Sequence, residues 1–153
     1  MVEIIKIKEN KKRFLDLLLL GDEEENMIDK YLEDSEVFIL YDQDLKSICV
    51  VKQLSKATFE IKNIATYKRY QRQGYGYNIL KFVLNHYKNK CETMYVGTGD
   101  SANIINFYKK CGFKLSHKVE NFFIDNYKHP IYEDNAQLID MIYLKKDMNK
   151  LKQ

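Results

Sequence analysis

A six-residue segment in the middle of the chain separates a strand-like run from a helix-like run. The segment reads Gln71-Arg72-Gln73-Gly74-Tyr75-Gly76. The apolar, strand-like run 59–66 precedes it, and apolar residues recur at 79, 80, 83 and 84 after it, as on one face of a helix. A strand that enters a helix through such a turn presents unpaired backbone N–H groups at the positive end of the helix dipole. The segment therefore favours a phosphate or pyrophosphate site.

The residue types around this turn suit an anion but match neither common phosphate loop. Gly74 and Gly76 leave the backbone accessible and allow dihedral angles that other residues resist. Lys68, Arg69 and Arg72 add positive charge beside the turn. A P-loop needs Lys and then Ser or Thr after its last glycine, and a dinucleotide fingerprint needs three glycines. On spacing alone, a plain strand-to-helix turn stays open as the alternative.

A second segment, residues 103–113, reads as a short helix that ends at Gly112 and leads into a new strand. Together the two segments resemble the GNAT superfamily of N-acetyltransferases. Residues 71–76 are similar to that family's Gln/Arg-x-x-Gly-x-Gly/Ala signature for the pyrophosphate of acetyl-CoA. The second segment, from Tyr108 to Phe113, is similar to its Tyr-x-x-x-Gly-Phe ending. The helix and strand between the two motifs also follow the family's order.

The resemblance covers residues 36–147 well and residues 1–35 only by their pattern of elements. It implies a mixed α/β fold: a single GNAT-like domain over residues 1–153, with helices on both faces of its sheet. The sheet should be mostly antiparallel, with one parallel β-α-β passage. Hydrophobic periodicity predicts strands over 2–8, 36–41, 46–54, 57–66, 92–98, from 113, and 137–146, and helices over 11–20, 22–32, 74–89 and 101–111. The long aromatic-rich connection 120–136 is of a length that often shapes a binding site.

The composition excludes several classes of protein. With 45% hydrophobic and 31% charged residues in 153, we expect a soluble globular protein. No apolar run approaches the ~20 residues that span a bilayer, and the N-terminus lacks a signal-peptide pattern. A net charge of +3 gives no reason to expect nucleic acid. Cys49, Cys91 and Cys111 indicate reduced thiols, so we expect a cytoplasmic protein without membrane or nucleic-acid partners.

The resemblance implies direct transfer of an acetyl group from acetyl-CoA to a primary amine, on a small molecule or a protein. It implies no metal, and the three histidines show no metal-ligand spacing. Holding amine and thioester together would supply much of the catalysis. The remaining tasks need a base for the ammonium proton, a donor for the oxyanion and an acid for the departing thiolate.

Glu60 is the candidate base, because well-known members of the family carry a strand glutamate six residues before the position of Thr66. Strand alternation predicts that Glu60, Lys62, Ile64 and Thr66 share one face, with the residues between them on the other. A working base would need partial burial to raise its pKa. The alternative is an exposed strand charge, paired with Lys62 or with a lysine of a neighbouring strand.

Tyr108 is the candidate acid for the CoA sulfur, since a phenol of ordinary pKa stays protonated at neutral pH. The alternative is a ring that simply packs in the core. For the oxyanion, the family uses a backbone N–H that falls here on Ala65 or Thr66. The segment from Ile64 to Thr66 would also pair with the pantetheine arm as an added strand does.

One position departs from the family's pattern. The family often has Asn seven residues before the tyrosine, where this chain has Ser101. Asn103 substitutes for it, or Ser101 caps the helix. The candidate cofactor-binding residues are therefore Ile64, Ala65, Thr66, Gln71, Arg72, Gln73, Gly74, Tyr75, Gly76, Tyr77 and Asn103.

Two regions that usually wall the acceptor site in this family are acidic and aromatic here. They carry Asp22, Glu23, Glu24, Glu25, Asp125, Glu133 and Asp134, with Phe122, Phe123, Tyr127 and Tyr132. Such a surface suits a cationic amine, through charge attraction and cation–π contact. The alternatives are a solvated helix start for residues 22–25 and a homodimer surface for the aromatic cluster.

Two further classes of function stay open. One is a GNAT-fold domain that binds acyl-CoA without turnover and serves as a sensor or interaction module. The presence of both Glu60 and Tyr108 favours the enzyme over this reading. The other is a nucleotide-binding α/β domain, but strand 92–98 ends in Gly97-Thr98-Gly99 and lacks the acidic partner for a ribose.

Overall fold

The computed structural model describes residues 1–148 of the chain. Seven strands form one sheet in the order β1-β2-β3-β4-β5-β9-β6, and β7 and β8 form a separate hairpin. The strands are β1 Val2–Ile7, β2 Glu36–Asp42, β3 Asp44–Gln53, β4 Thr58–Thr66, β5 Thr93–Thr98, β6 Lys114–Val119, β7 Tyr132–Glu133, β8 Ala136–Gln137 and β9 Met141–Asp147. The helices are α1 Leu15–Gly21, α2 Glu25–Asp29, α3 Tyr75–Tyr87, α4 Ala102–Lys110 and α5 Phe122–Asn126, with short 3-10 turns at Lys11–Phe14 and Lys68–Tyr70.

The sheet is antiparallel except at one pair of strands. β1 to β4 pair antiparallel in sequence order, and β9 lies antiparallel between β5 and β6. Within residues 1–148 only β4 and β5 run parallel, and α3 crosses between them as such a pair requires. The predicted mixed sheet with one parallel β-α-β passage is confirmed.

Helices cover both faces of the sheet, each over its own apolar core. On one face, α3 turns Ile79, Leu80, Val83 and Tyr87 toward the sheet, at the spacing of a helical stripe. On the other face, α1 and α2 bury leucine and isoleucine side chains against β2 and β3. Both faces of the central strands are therefore buried, which explains the nearly continuous apolar runs in β2 and β3.

A β-bulge in β4 changes which face each residue occupies. Val50 pairs with Asn63, but the next residue of β3, Val51, pairs with Ile61, so Lys62 is an extra residue in β4. Ile61 packs in the α3-side core and Ala65 in the α1-side core, although strict alternation predicts one face for both. The predicted faces of β4 are therefore wrong beyond the bulge, because one inserted residue reverses the alternation.

The N-terminal helices are shorter than predicted. The predicted helix 11–20 begins as a 3-10 turn and becomes α-helical only at Leu15. The second helix covers Glu25–Asp29 instead of 22–32. Asp22 is extended (φ −149°, ψ 111°), and its carboxylate accepts hydrogen bonds from Tyr31 and Tyr127. Tertiary contacts therefore replace the helix start that the acidic run predicts.

The connection before the last strand contains regular structure that periodicity does not show. It holds α5 and the β7–β8 hairpin, in which Glu133 pairs with Ala136. Asp134 and Asn135 form the two-residue turn, both with positive φ (51° and 65°), as tight hairpins require. The last strand consequently starts at Met141, and the predicted start at Gln137 belongs to the hairpin instead.

Candidate active site

The parallel strands β4 and β5 separate at the centre of the sheet. Their pairing ends at Ile61 and Val96 within the described residues, one step before the bulge at Lys62. A cavity of about 240 Å³ begins in this opening and reaches the end of α1 and the connection before β9. Because one edge of β4 has no partner strand there, its backbone groups are available to an extended ligand.

The turn before α3 forms a backbone cradle. Arg72 and Gly74 have positive φ (64° and 90°), and α3 begins directly afterwards at Tyr75. Within residues 1–148 no backbone carbonyl accepts the amides of residues 72–74. The first amides of α3 likewise have no partner inside the helix. These donors converge at the positive end of a 13-residue helix, which suits a phosphate or pyrophosphate group.

Side chains of the turn fasten it to its surroundings. Gln71 Nε2 donates to the Thr66 carbonyl at the end of β4 (3.1 Å), and Gln73 Nε2 donates to the Arg69 carbonyl (3.4 Å). The Tyr75 hydroxyl donates to Asp42 (2.7 Å). The side chains of Gln71, Gln73 and Tyr75 therefore hold the turn in place. These residues can still bind an anion through their backbone amides.

The two glycines of the turn differ in what they require. Gly74 is in the left-handed region, where any other residue is strained. Gly76 has ordinary helical geometry, and a Cβ there would meet only Thr66 Oγ1, at 3.8 Å. The backbone therefore needs glycine at 74, whereas at 76 glycine only leaves open space beside the cradle.

Tyr108 lies where α4 faces the opening between the strands. Its ring packs edge-on against Phe113 with centroids 5.6 Å apart, and the residue is buried while lining the cavity. Burial raises the pKa of the Tyr108 hydroxyl, with smaller contributions from Cys49, Cys111 and Glu133. The hydroxyl therefore stays protonated at neutral pH, as the hypothesis of a proton donor for the leaving thiolate requires.

Glu60 does not share that cavity. It is buried on β4, forms an ion pair with Lys62 (3.3 Å) and lines an adjoining cavity of about 290 Å³. Burial, with the nearby Glu60 carboxylate, raises the pKa of Tyr143 to about 12. The two cavities share much of their lining, namely Asp22, Ile61, Lys62, Gly97, Tyr127 and Met141. Glu60 and Tyr108 therefore lie in the walls of two adjoining parts of one cleft.

The remaining predicted residues divide between the cavity wall and its surroundings. Ile64 lines the cavity, whereas Ala65 and Thr66 lie beyond it toward the α3 turn, with Thr66 Oγ1 bonded to Ser47 Oγ (2.7 Å). Ser101 occupies the N-cap position of α4, but its hydroxyl donates to Asp134 Oδ2 (2.9 Å) instead of capping the helix. Asn103 is exposed and lies outside the cavity wall.

The sequence patterns do not predict a buried polar network that the structure contains at the end of α1. Asp22 accepts from Tyr127 (2.8 Å) and Tyr31 (3.3 Å), and Asn63 Nδ2 donates to the Tyr31 hydroxyl (3.1 Å) and to the Leu18 carbonyl (3.0 Å). Burial raises the pKa of the Asp22 carboxyl, and the tyrosine hydrogen bonds oppose this rise. The network ties α1, the segment after α2, β4 and the late connection together beside the cavity.

Glu133 was predicted only as part of an acidic surface. The structure places it on the β7–β8 hairpin, half-buried, in the wall of the same cavity as Tyr108. Burial raises the pKa of the Glu133 carboxyl, and the nearby charges of Asp134 and Glu23 raise it further. The available sequence signal was the turn Asp134-Asn135, which predicts a tight hairpin with Glu133 directly before the turn.

Two classes of feature are absent from the described part of the chain. Among residues 1–148, no cluster of three His, Cys, Asp or Glu side chains is arranged to hold a metal ion. None of the helices in this range has the length and apolar character needed to cross a membrane.

The sequence matches a family model described as an acetyltransferase (GNAT) domain, over residues 33–115. It is also 31% identical over 144 residues to an uncharacterized N-acetyltransferase of Bacillus subtilis, YvbK, covering 92% of this chain and 93% of that protein. Together with the opened mixed sheet and the cradle before α3, these matches define the protein as an acetyltransferase.

Two solved structures are similar over almost the whole chain. A GNAT family acetyltransferase from Elizabethkingia anophelis with acetyl-CoA bound is 35% identical, with a TM-score of 0.90, covering 95% of this chain and 97% of that one. A Bacillus subtilis acetyltransferase in complex with CoA is 31% identical, with a TM-score of 0.86, covering 96% and 99%. The chain belongs to the GNAT family of acetyltransferases.

Proposed function

We propose that the protein transfers an acetyl group from acetyl-CoA to a primary amine on a small molecule or a protein. The opening between β4 and β5 carries this proposal, because the edge of β4 beyond Ile61 runs from the cavity lined by Tyr108 to the turn before α3, where Gln71 bonds the Thr66 carbonyl. Relatives crystallised with acetyl-CoA and with CoA support the same donor.

The cradle and the free edge of β4 suit the two ends of this donor. The amides of residues 72–77 would hold the pyrophosphate, with Arg72 supplying positive charge. The pantetheine arm would lie along Ile64 to Thr66 as an added strand. This path directs the thioester toward Tyr108.

In the reaction, the amine nitrogen attacks the thioester carbonyl, the C–N bond forms and the C–S bond breaks. A backbone N–H at Ala65 or Thr66 stabilises the oxyanion. Tyr108 gives its proton to the leaving sulfur. Glu60 serves as base in the sequence-based hypothesis, and from the adjoining cavity it would act through water.

Calorimetric titration with acetyl-CoA, CoA and ATP tests the donor. We expect micromolar binding of acetyl-CoA and CoA and no binding of ATP. A panel of amines assayed for thiol release then tests the transfer. Failure to bind either CoA species contradicts the proposal, and binding without thiol release for any amine favours the acyl-CoA-binding module instead.

A further inference from the structure

We propose that Glu133 binds the ammonium group of the acceptor and takes its proton before the amine attacks. This inference rests on the proposed function and names the residue that prepares the acceptor. It assigns to a hairpin carboxylate the role that the sequence alone suggests for Glu60.

The hairpin that carries Glu133 is fixed to the helix that carries Tyr108. Asp134, its neighbour, accepts a hydrogen bond from Ser101 at the start of α4 (2.9 Å). On the other side of the hairpin, the Leu138 amide donates to the Ile131 carbonyl (2.7 Å), and both side chains are buried. These contacts place Glu133 in the wall of the cavity that Tyr108 also lines.

The other carboxylates near Tyr108 either have hydrogen-bond or ion-pair partners or are exposed to solvent. Both oxygens of Asp22 accept tyrosine hydrogen bonds. Glu60 is paired with Lys62 and lines the adjoining cavity. Glu23 lines the reaction cavity but is exposed to solvent. Within residues 1–148, Glu133 is the half-buried carboxylate of this cavity for which no hydrogen bond or ion pair is found.

The charge of the cavity favours an acceptor that arrives protonated. Asp22, Glu23 and Glu133 line it, and the single described cation in its wall, Lys62, is already paired with Glu60. An ammonium ion supplies the missing positive charge and three hydrogen-bond donors for these carboxylates. The ligand class is therefore a primary ammonium, not a neutral or anionic nucleophile.

Protons balance with Glu133 in this role. The carboxylate takes one proton from the ammonium group, which frees the nitrogen lone pair for attack on the thioester carbonyl. Of the three ammonium protons, one stays on the amide product, and one balances the proton that the CoA sulfur takes through Tyr108. The third leaves to solvent through Glu133. Burial raises the pKa of Glu133 toward that of the ammonium group, which makes the transfer less unfavourable.

The test compares pH profiles of kcat/KM for the wild type, Glu133→Gln and Glu60→Gln, with an amine found active in the panel. For wild type we expect a loss of activity at acid pH as Glu133 is protonated. Glu133→Gln should lower kcat/KM on the order of 10²-fold or more and remove this acid limb, with unchanged acetyl-CoA affinity. Glu60→Gln should keep the acid limb.

Two controls separate catalysis from structure. Glu120→Gln removes an exposed carboxylate from the same connection and should leave the profile unchanged. In Glu133→Ala, added formate should restore part of the rate, which a structural role would not permit. A wild-type profile in Glu133→Gln, or an acid limb lost only in Glu60→Gln, overturns this assignment alone. Absence of thiol release by the wild type overturns the proposed function and this inference with it.

Discussion

At the scale of single residues, the site depends on which atoms are left without a partner. The Tyr108 hydroxyl and the amides of the turn face open space, whereas Asp22, Tyr75 and Gln71 are tied to neighbours. Replacements in the first group should change binding or rate while the fold persists. Replacements in the second group should change stability first.

Gly76→Ala should weaken acetyl-CoA binding without unfolding the protein. Its φ is not positive and a Cβ has room, so alanine in the first turn of α3 should keep or slightly raise the free energy of unfolding. The added methyl would stand in the space proposed for the pyrophosphate, and the Kd should rise about tenfold or more, equivalent to ~1.4 kcal/mol. Calorimetry and thermal denaturation measure the two quantities.

The matched comparison is Gly74→Ala, where positive φ makes alanine strained. We expect that variant to lose about 1 kcal/mol or more of stability. An unchanged Kd for acetyl-CoA in Gly76→Ala would mean that the pyrophosphate does not bind at this turn.

Tyr108→Phe should lower kcat while leaving acetyl-CoA affinity near the wild-type value. The ring contacts with Phe113 remain, and only the proton donor is lost. We expect a decrease of roughly 10²-fold in thiol release. Tyr67→Phe is the control, because that hydroxyl bonds Asp16 on the surface (2.9 Å). Equal rates in Tyr108→Phe and wild type would assign the acid to water or another group.

At the scale of elements, the bulge in β4 and the β7–β8 hairpin together create the cavity. The bulge ends the pairing with β5 and turns Asn63 toward α1. The hairpin then closes the far side, anchored by Ser101 and Asp134. Both features are irregularities in the sheet, and both lie next to the proposed reaction.

Ser101→Ala should loosen the hairpin while leaving the donor site intact. Loss of a hydrogen bond to a carboxylate costs roughly 1.5–3 kcal/mol of stability. Because Glu133 would be held less firmly, we expect a raised KM for the amine and an unchanged Kd for acetyl-CoA. Ser116→Ala, which removes a hydroxyl bonded to His117 (2.8 Å) on β6, is the control. Equal KM values for the two variants would show that this anchor does not position the acceptor site.

Asp22→Asn should change how stability depends on pH. Burial raises the pKa of Asp22 in the folded state, so the folded protein binds more protons than the unfolded chain once pH exceeds about 3.9. This residue's contribution to the free energy of unfolding therefore falls as pH rises through that window. The wild-type protein should lose stability relative to Asp22→Asn between pH 4 and 7, as urea unfolding measures. The opposite slope would mean that the tyrosine hydrogen bonds outweigh burial.

At the scale of the whole molecule, the proposed acetyl-CoA site and the proposed amine site lie on opposite faces of the sheet and are connected by the opening between β4 and β5. The α3 side carries the cradle and Tyr108, while the end of α1 and the late connection close the other side. A ligand that spans the opening would bridge the two cores. Its binding should therefore stabilise the chain globally.

Saturating acetyl-CoA should raise the melting temperature of the wild type. At about 100 times its Kd, binding to the folded state alone adds ~2.7 kcal/mol. The same concentration should stabilise Gly76→Ala less, since its Kd is expected to be higher. ATP serves as the matched anion. If ATP raised the melting temperature as much as acetyl-CoA does, the turn would bind polyanions without specificity for CoA.

Elements that depend on neighbouring residues could be predicted from the sequence. The cradle at 71–76, the stripe of α3 and the order of strands from β2 to β6 follow local turn chemistry and side-chain periodicity, because each depends on residues within a few positions. The paired motifs also indicated the GNAT family, which the family model and the relatives confirm. The homodimer remains a prediction.

The faces of β4 and the residues that line the cavity depend on contacts between distant parts of the chain. The bulge at Lys62 depends on the register with β3, which alternation within one strand cannot reveal. Glu133 and Tyr108 line one cavity and Glu60 lines the adjoining one, because strands and a hairpin far apart in sequence meet at the opening. Burial and neighbouring charge set the reactivity of a carboxylate, and both arise from residues that only folding brings together.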